Sequence, residues 1–170
     1  MPIYNFALLF DNDFANSLVG YANVISKSFD AFFSLQKDTH VTVVKFGTKK
    51  PLSEVTLSKL KKLSKKPLKV NFSGLALVPS HKEGVWVEVS ILRSAALIDL
   101  QRKVLALIKG ATILSSIEDR FRPHVTIALI KNKDVHISSL PVSLLRKEAI
   151  AYPRIGLSDK DYHWTSHPNV

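Results

Sequence analysis

Two triplets of the same composition, His40-Val41-Thr42 and His124-Val125-Thr126, combine side chains that move protons with side chains that bind anions. An imidazole titrates at about pH 6.5, so it can act as a neutral base or a charged acid near neutral pH. Two imidazoles facing one phosphate can therefore activate an attacking water and protonate a leaving oxygen. The threonine hydroxyls can donate hydrogen bonds to non-bridging phosphate oxygens, where negative charge builds up. These residue types indicate phosphodiester chemistry that needs neither a metal nor a cofactor.

The pattern His-x-Ser/Thr is not specific by itself, because His136-Ile137-Ser138 and His163-Trp164-Thr165 also match it. The surroundings separate the four matches. The first pair begins strongly apolar runs that are typical of strands, whereas the other two lie in polar surroundings. A histidine at the start of a strand is, taken alone, an ordinary sheet residue. The repetition of the triplet in the same context is what favours one shared site.

The alternation of side chains along a strand predicts where the triplets point. Residues two positions apart share a face, so the histidine and the threonine of each triplet project together. The opposite face must meet the core, since it carries Val41, Val43, Val125, Ile127 and Leu129. We therefore expect both imidazoles and both hydroxyls to project from the uncovered face of a sheet and to converge on one cleft.

Four further residues are candidates for binding the substrate. Arg122 precedes His124 by two positions, so in a regular strand it would point into the cleft and could clamp a phosphate. Trp86 lies on the polar face of its own strand and could stack on a base, or could simply cover the edge of the sheet. Tyr152 and Arg154 alternate onto one face of the last strand, where an ordinary surface position is the alternative.

Apolar periodicity and capping residues predict the elements that position these side chains. Helices begin at caps offered by Asp11-Asn12-Asp13, by Ser53 and by Ser94; the first runs to about Phe29, and the third ends at Gly110. Each half of the chain offers extended segments, a helix, and then a strand that begins with His-Val-Thr. This weak duplication predicts two similar halves. The predicted strands cover residues 3–10, 39–46, 68–78, 85–92, 121–130 and 150–157.

Composition limits the class of protein. With 170 residues, of which 46% are hydrophobic, the chain fits one domain over residues 1–170, with a polar tail at about 159–170. The absence of cysteine excludes disulfides and thiolate metal sites. A zinc site needs at least three ligands, and His81, His136 and His163 are scattered, so we expect no metal. The beginning of the chain lacks a signal-like basic region, and no apolar run reaches membrane-spanning length. A cytoplasmic monomer without membrane association is the expectation.

The formal net charge of +10 favours a polyanionic partner such as RNA or an oligonucleotide, although it could serve solubility alone. The predicted second helix contributes to this charge. Its residues Lys59, Lys62 and Lys66 face outward while leucines face inward. These lysines could steer a phosphate backbone, or could simply form a solvated face.

Two segments resemble the motifs of the two-histidine (2H) phosphoesterase superfamily, and especially its 2′-5′ RNA ligase-like branch. The first is residues 38–47, which end in Phe46-Gly47, and the second is residues 121–128, which begin with Phe121-Arg122-Pro123. The resemblance implies an α+β fold of two pseudo-symmetric lobes, with antiparallel sheets lining a central cleft and helices on the outer faces. It also implies that the catalytic residues are His40, Thr42, His124 and Thr126.

Three functions remain open from the sequence. The first, also implied by the resemblance, is a phosphodiesterase acting on 2′,3′-cyclic phosphates or 2′-5′-linked RNA ends through paired-histidine acid and base catalysis. The second is a hydrolase of small 2′-5′ or cyclic oligonucleotide signals used in defence or counter-defence. The third is a non-catalytic RNA-binding module that keeps the cleft for recognition.

Overall fold

The computed structural model describes residues 1–35, 39–80, 83–131, 134–136, 138, 140, 147–158 and 164–166. His163 and most of the predicted polar tail therefore lie outside the described residues, whereas Trp164 and Thr165 of the same triplet are described.

The described strands form one antiparallel sheet in the order β2-β7-β5-β4-β8-β1-β3-β6, with β9 pairing with one end of β8. The predicted strands are all present, although their ends differ by a few residues. The strands are β1 (Ile3–Phe10), β2 (Ala31–Ser34), β3 (His40–Gly47), β4 (Leu68–Pro79), β5 (Val85–Ile91), β6 (Thr112–Ile113), β7 (His124–Ile130), β8 (Glu148–Ser158) and β9 (Trp164–Ser166).

Three helices, α1 (Asn12–Phe29), α2 (Glu54–Leu63) and α3 (Ala95–Leu107), lie within the described residues. Each begins at its predicted cap, whose side chain accepts a hydrogen bond from a backbone N–H of the first turn and so satisfies a donor that has no partner in the helix. The apolar stripe predicted for α1 is buried from Phe14 to Ile25. None of the helices in the described chain is both long and apolar enough to span a bilayer.

The strand order has an internal symmetry. Read from either edge, it gives the same succession of equivalent strands: β2 corresponds to β6, β7 to β3, β5 to β1, and β4 to β8. The first repeat is thus β1-α1-β2-β3-β4 and the second is β5-α3-β6-β7-β8. The strand order therefore confirms the predicted duplication. The fold is pseudo-symmetric about the pairing of β4 with β8, with four strands on each side.

Most strands and helices of each repeat pair with or pack against elements of the other repeat. Within a repeat only β1 pairs with β3, and β5 with β7. The short strand β2 pairs with β7 of the other repeat, while β6 pairs with β3. The helices follow the same rule, because α1 contacts β7 and α3 contacts β3. The core is therefore shared between the repeats.

Three short strands and a turn were not expected from the sequence. Residues 111–120, which lie between the predicted third helix and the next predicted strand, contain β6 and a short 3₁₀ turn, Glu118–Arg120. The strand β2 was likewise not predicted, and β9 lies in the segment that was predicted as a polar tail. The strand expected from Phe121 begins only at His124. Pro123 has no N–H to give to a ladder, which accounts for the late start.

Candidate active site

The two triplets occupy equivalent places at the starts of β3 and β7. His40 and His124 are each the first residue of their strand, and each is partly exposed. Between histidine and threonine, Val41 and Val125 are fully buried. The histidine and threonine side chains thus lie on the face opposite the core, as the alternation predicts.

A β-bulge follows each triplet at the same position. Thr42 pairs with Ala7, but the next pair is Val44 with Phe6, so Val43 is an extra residue. In the second repeat, Thr126 pairs with Glu88 and the next pair is Ala128 with Val87, which makes Ile127 the extra residue. Bulges bend a strand and redirect its side chains, and they are common beside functional sites. The backbone therefore positions both triplets in the same way, with a β-bulge directly after each threonine.

The second bulge changes the predicted face of one residue. Ile127 and Ala128 are both fully buried, so the alternation restarts one residue later. Leu129 pairs with Trp86 and with Phe33 of β2, and paired side chains share a face. The expectation that Leu129 lies opposite His124 is therefore wrong. Leu129 lies on the histidine face, in the same cross-strand row as Phe33 and Trp86.

The carbonyl of each bulged residue has a partner from another element. The Val43 carbonyl accepts a hydrogen bond of 2.9 Å from Nε2 of Gln101 on α3. The Ile127 carbonyl accepts one of 2.8 Å from the backbone N–H of Leu35, directly after β2. Both bulges are thus held by groups from outside their own strand pair.

The sheet curls so that the two triplet-bearing strands approach each other. Four strands separate β3 from β7 in the sheet order, which would put them about 24 Å apart in a flat sheet. Parts of the two strands nevertheless have Cα atoms within 8 Å of each other. The strands that begin with His40 and His124 are therefore close neighbours in the folded chain.

Asn5 is an unpredicted member of the first half-site. The preceding residue of β1, Tyr4, is buried and stacked on Phe46. Asn5 is also buried, and its Nδ2 donates a 3.1 Å hydrogen bond to the Thr42 hydroxyl. Because the Thr42 oxygen accepts this bond, its own proton is available to point elsewhere. Asn5 thus orients Thr42 as a hydrogen-bond donor.

Glu88 is the unpredicted member of the second half-site. It is only 4% exposed and lies on the polar face of β5, paired with Thr126. Both of its carboxylate oxygens accept hydrogen bonds from the guanidinium of Arg122, and Oε1 lies 3.4 Å from Nε2 of His124. The predicted phosphate clamp Arg122 is therefore engaged in an ion pair. An acidic residue between two valines of a predicted strand was the only signal in the sequence.

Trp86 and Phe33 form an aromatic pair beside Glu88. Their ring centroids are 6.1 Å apart in an edge-to-face arrangement. Trp86 lies two residues before Glu88 on β5, so it shares the face of the second half-site. Phe33, from the unpredicted strand β2, thus extends the apolar surface of Trp86, the candidate stacking residue.

Tyr152 and Arg154 lie on the same sheet face as the first triplet. Tyr152 pairs with Leu9, which pairs with His40, and Arg154 lies in the next such row with Thr42. Tyr152 is exposed. Arg154 donates from Nη1 to the carbonyl of Ser64, the residue that caps the end of α2. Arg154 therefore supports a helix end, whereas Tyr152 is open to the surface.

Metal ligands are not clustered in the described part of the chain. No group of three or more histidine, aspartate or glutamate side chains there is arranged to hold a metal ion.

Solved structures define the class of fold. Escherichia coli LigT superposes with a TM-score of 0.60 at 13% identity, covering 93% of this chain and 88% of LigT. TT0787 of Thermus thermophilus superposes with a TM-score of 0.57 at 14% identity, covering 92% of this chain and 87% of TT0787. The chain therefore has the α+β fold of the 2H phosphoesterases. No match to a curated protein sequence was found.

The family follows from the sequence match. The family model of the 2′-5′ RNA ligase superfamily matches residues 19–147, which include both triplets. This protein belongs to the 2′-5′ RNA ligase superfamily. The resemblance noted in the sequence is confirmed, and membership supports a role as a phosphoesterase in RNA processing.

Proposed function

We propose that this protein is a metal-independent phosphodiesterase that acts on RNA-type phosphodiesters, either 2′,3′-cyclic phosphates or 2′-5′-linked ends. One observation carries the proposal: two His-Val-Thr strands in equivalent positions present their polar side chains on the face opposite the core. Each triplet is followed at once by a bulge. The catalytic residues of the proposal are His40, Thr42, His124 and Thr126.

The chemistry of these side chains fits a phosphodiester. One imidazole takes a proton from the attacking water, and the other gives a proton to the leaving ribose oxygen. Thr42 and Thr126 donate hydrogen bonds to non-bridging oxygens as charge develops there. Asn5 supports this role for Thr42 because it occupies the hydroxyl oxygen as an acceptor. The four groups together supply a base, an acid and two anion donors.

The neighbours of the catalytic residues suit a nucleotide. Trp86 and Phe33 offer aromatic surface for a base, and Tyr152 extends the polar face beyond His40. The formal charge of +10 attracts a polyanionic substrate. The structures of E. coli LigT include complexes with 3′-AMP and with NADP⁺, which are both nucleotides. The proposed substrate class is therefore RNA or a short oligonucleotide.

The first experiment measures hydrolysis of nucleoside 2′,3′-cyclic phosphates and of a 2′-5′-linked dinucleotide, with EDTA in excess. His40→Ala and His124→Ala are each expected to lower kcat by about 100- to 10,000-fold, the usual contribution of a general acid or base. Both side chains are partly exposed, so the fold should survive, which circular dichroism would verify. His136→Ala is the matched control, because exposed His136 begins a triplet of the same pattern outside the described strands.

Three results would contradict the proposal. Absence of turnover of any phosphodiester would remove the enzymatic function. Unchanged RNA binding and biological effect in both site variants would instead indicate a non-catalytic RNA-binding module. Turnover that disappears only when EDTA is added would show that a metal ion is required.

A further inference from the structure

The two half-sites have matching backbones but carry different side chains opposite the threonine of the triplet. In the second repeat, Glu88 pairs with Thr126 and lies beside His124. The equivalent position in the first repeat, opposite Thr42, is Ala7. A carboxylate thus accompanies one triplet, while a methyl group occupies the same place beside the other. This asymmetry bears on which histidine is the acid.

Each ring nitrogen of His124 lies beside an oxygen atom that can accept a hydrogen bond. Nδ1 lies 2.8 Å from the backbone carbonyl of Arg122, which can only accept a hydrogen bond, so Nδ1 carries a hydrogen. Nε2 lies 3.4 Å from Oε1 of Glu88. Both nitrogens therefore face oxygen acceptors. Only the doubly protonated imidazolium places an N–H group toward each of them.

Glu88 acts as a counter-ion to His124 without accepting a hydrogen bond from Nε2. The 3.4 Å separation exceeds the range of about 2.7–3.2 Å for N–H···O hydrogen bonds. The ion pair with Arg122, in which Nη1 donates a short hydrogen bond to Oε2, holds the carboxylate in place. With one carboxylate, one guanidinium and one imidazolium, the group keeps a single net positive charge. It can therefore still attract a phosphate.

We propose that Glu88, tethered by Arg122, is a positioning residue that keeps His124 as the proton donor of the reaction and leaves His40 as the base. This inference rests on the proposed function. In the reaction, water attacks phosphorus and gives a proton to His40. The bond between phosphorus and the ribose oxygen breaks, and that oxygen takes the proton from Nε2 of His124. Exchange of protons with solvent restores both histidines.

The test compares two substrates, one whose leaving group must be protonated and one whose leaving group needs no proton. Cytidine 2′,3′-cyclic phosphate releases a ribose oxygen that must be protonated, whereas thymidine 3′-(4-nitrophenyl phosphate) releases a phenolate that needs no proton. Glu88→Gln keeps the size of the side chain and removes its charge. It is expected to lower kcat on the cyclic phosphate by about 10- to 100-fold, part of the contribution of a general acid. On the nitrophenyl ester the loss should stay below about threefold.

The histidine variants calibrate the test. His124→Ala should show the same selective loss as Glu88→Gln, whereas His40→Ala should lower turnover of both substrates, because both reactions need an activated water. Glu88→Asp keeps the charge and should recover part of the activity on the cyclic phosphate. If Glu88→Gln does not fold, Glu88→Asp takes its place in the test. In that case Glu88→Asp must lower kcat on the cyclic phosphate and not on the nitrophenyl ester.

The outcomes separate this inference from the proposed function. If the unsubstituted protein hydrolyses neither substrate, the proposed function fails and the inference fails with it. If the protein is active but a Glu88 variant loses equally on both substrates, Glu88 has only a structural role and the inference alone is wrong. A selective loss in His40→Ala, instead of in His124→Ala, would reverse the assignment of acid and base and overturn the inference.

Discussion

Replacing Gln101 with methionine should destabilise the protein more than any other change of one polar side chain in α3. Gln101 is 1% exposed and connects β3 with the segment that precedes β7. Its Nε2 donates to the carbonyl of the bulged residue Val43, and its Oε1 accepts from the backbone N–H of Glu118, in the segment that leads to His124. Methionine has a similar length and volume, so Gln101→Met removes these bonds with little change in packing.

The magnitude follows from the two groups left without partners. Each bond is 2.9 Å long. A buried backbone carbonyl or N–H that loses its partner costs about 1–3 kcal/mol. The substitution should therefore lower the free energy of unfolding by about 3 kcal/mol, from a total of about 5–15 kcal/mol for a typical domain. With a urea m-value of about 2 kcal/mol per M, the midpoint should fall by roughly 1.5 M.

Urea unfolding followed by circular dichroism measures this change. Arg102→Met is the matched control, since Arg102 is the next residue of α3 and is exposed. Its effect should stay within about 0.5 kcal/mol. If Gln101→Met shifts the midpoint no more than Arg102→Met does, then water or a backbone shift satisfies both groups, and the argument that Gln101 holds the bulge is refuted.

Three further predictions address the backbone, the core and the site. Gly84→Ala should cost at least about 2 kcal/mol in urea unfolding, because φ is +124° and a Cβ would lie 2.5 Å from the carbonyl oxygen of Ile130; Gly20→Ala, in open space on α1, should instead stabilise by about 0.5–1 kcal/mol. Burial raises the pKa of Tyr21 to about 12 from 10.0, so above pH 10 the unfolded chain ionises first and stability should fall toward pH 12. Tyr21→Phe should remove this part of the fall, and an unchanged slope would contradict the assignment. Trp86→Ala should raise KM about tenfold for a nucleoside cyclic phosphate, leaving kcat and the KM of a ribose cyclic phosphate without a base unchanged; equal rises in both KM values would exclude stacking.

The elements with strong local signals could be predicted from the sequence. The helix that contains Phe14 and Leu18 has both a capping residue and a regular apolar stripe, which act within the element itself. The strands beginning at His40 and His124 likewise show alternation over several residues. Such elements are recognisable because their own residues determine which face is buried.

The short strands and the bulges had no comparable signal. Thr112 and Ile113 form a strand only because β3 of the other repeat lies beside them. A bulge adds one residue to a strand without changing its composition, so Val43 and Ile127 looked like ordinary members of apolar runs. The tertiary arrangement, and not the local sequence, determines these features.

The supporting polar residues were missed for a related reason. Glu88 alternates with apolar neighbours on β5, a pattern that is typical of the polar face of a strand and gives no sign of burial. Its burial depends on a guanidinium contributed by a segment more than thirty positions away. Gln101 occupies a buried position in the apolar stripe of α3, and a polar residue there is a usable signal. The catalytic candidates could be predicted, but the groups that orient them could not.

The exchange of strands between the repeats suggests a route for the origin of this chain. A single repeat would keep only one ladder of two strands, which is marginally stable in water. Two identical copies that lent each other their outer strands would form a closed dimer with two-fold symmetry. Each copy would contribute one His-Val-Thr triplet to the centre of such a dimer. Fusion of the two genes would preserve that centre and allow each half to mutate independently, which is the difference now seen between Glu88 and Ala7.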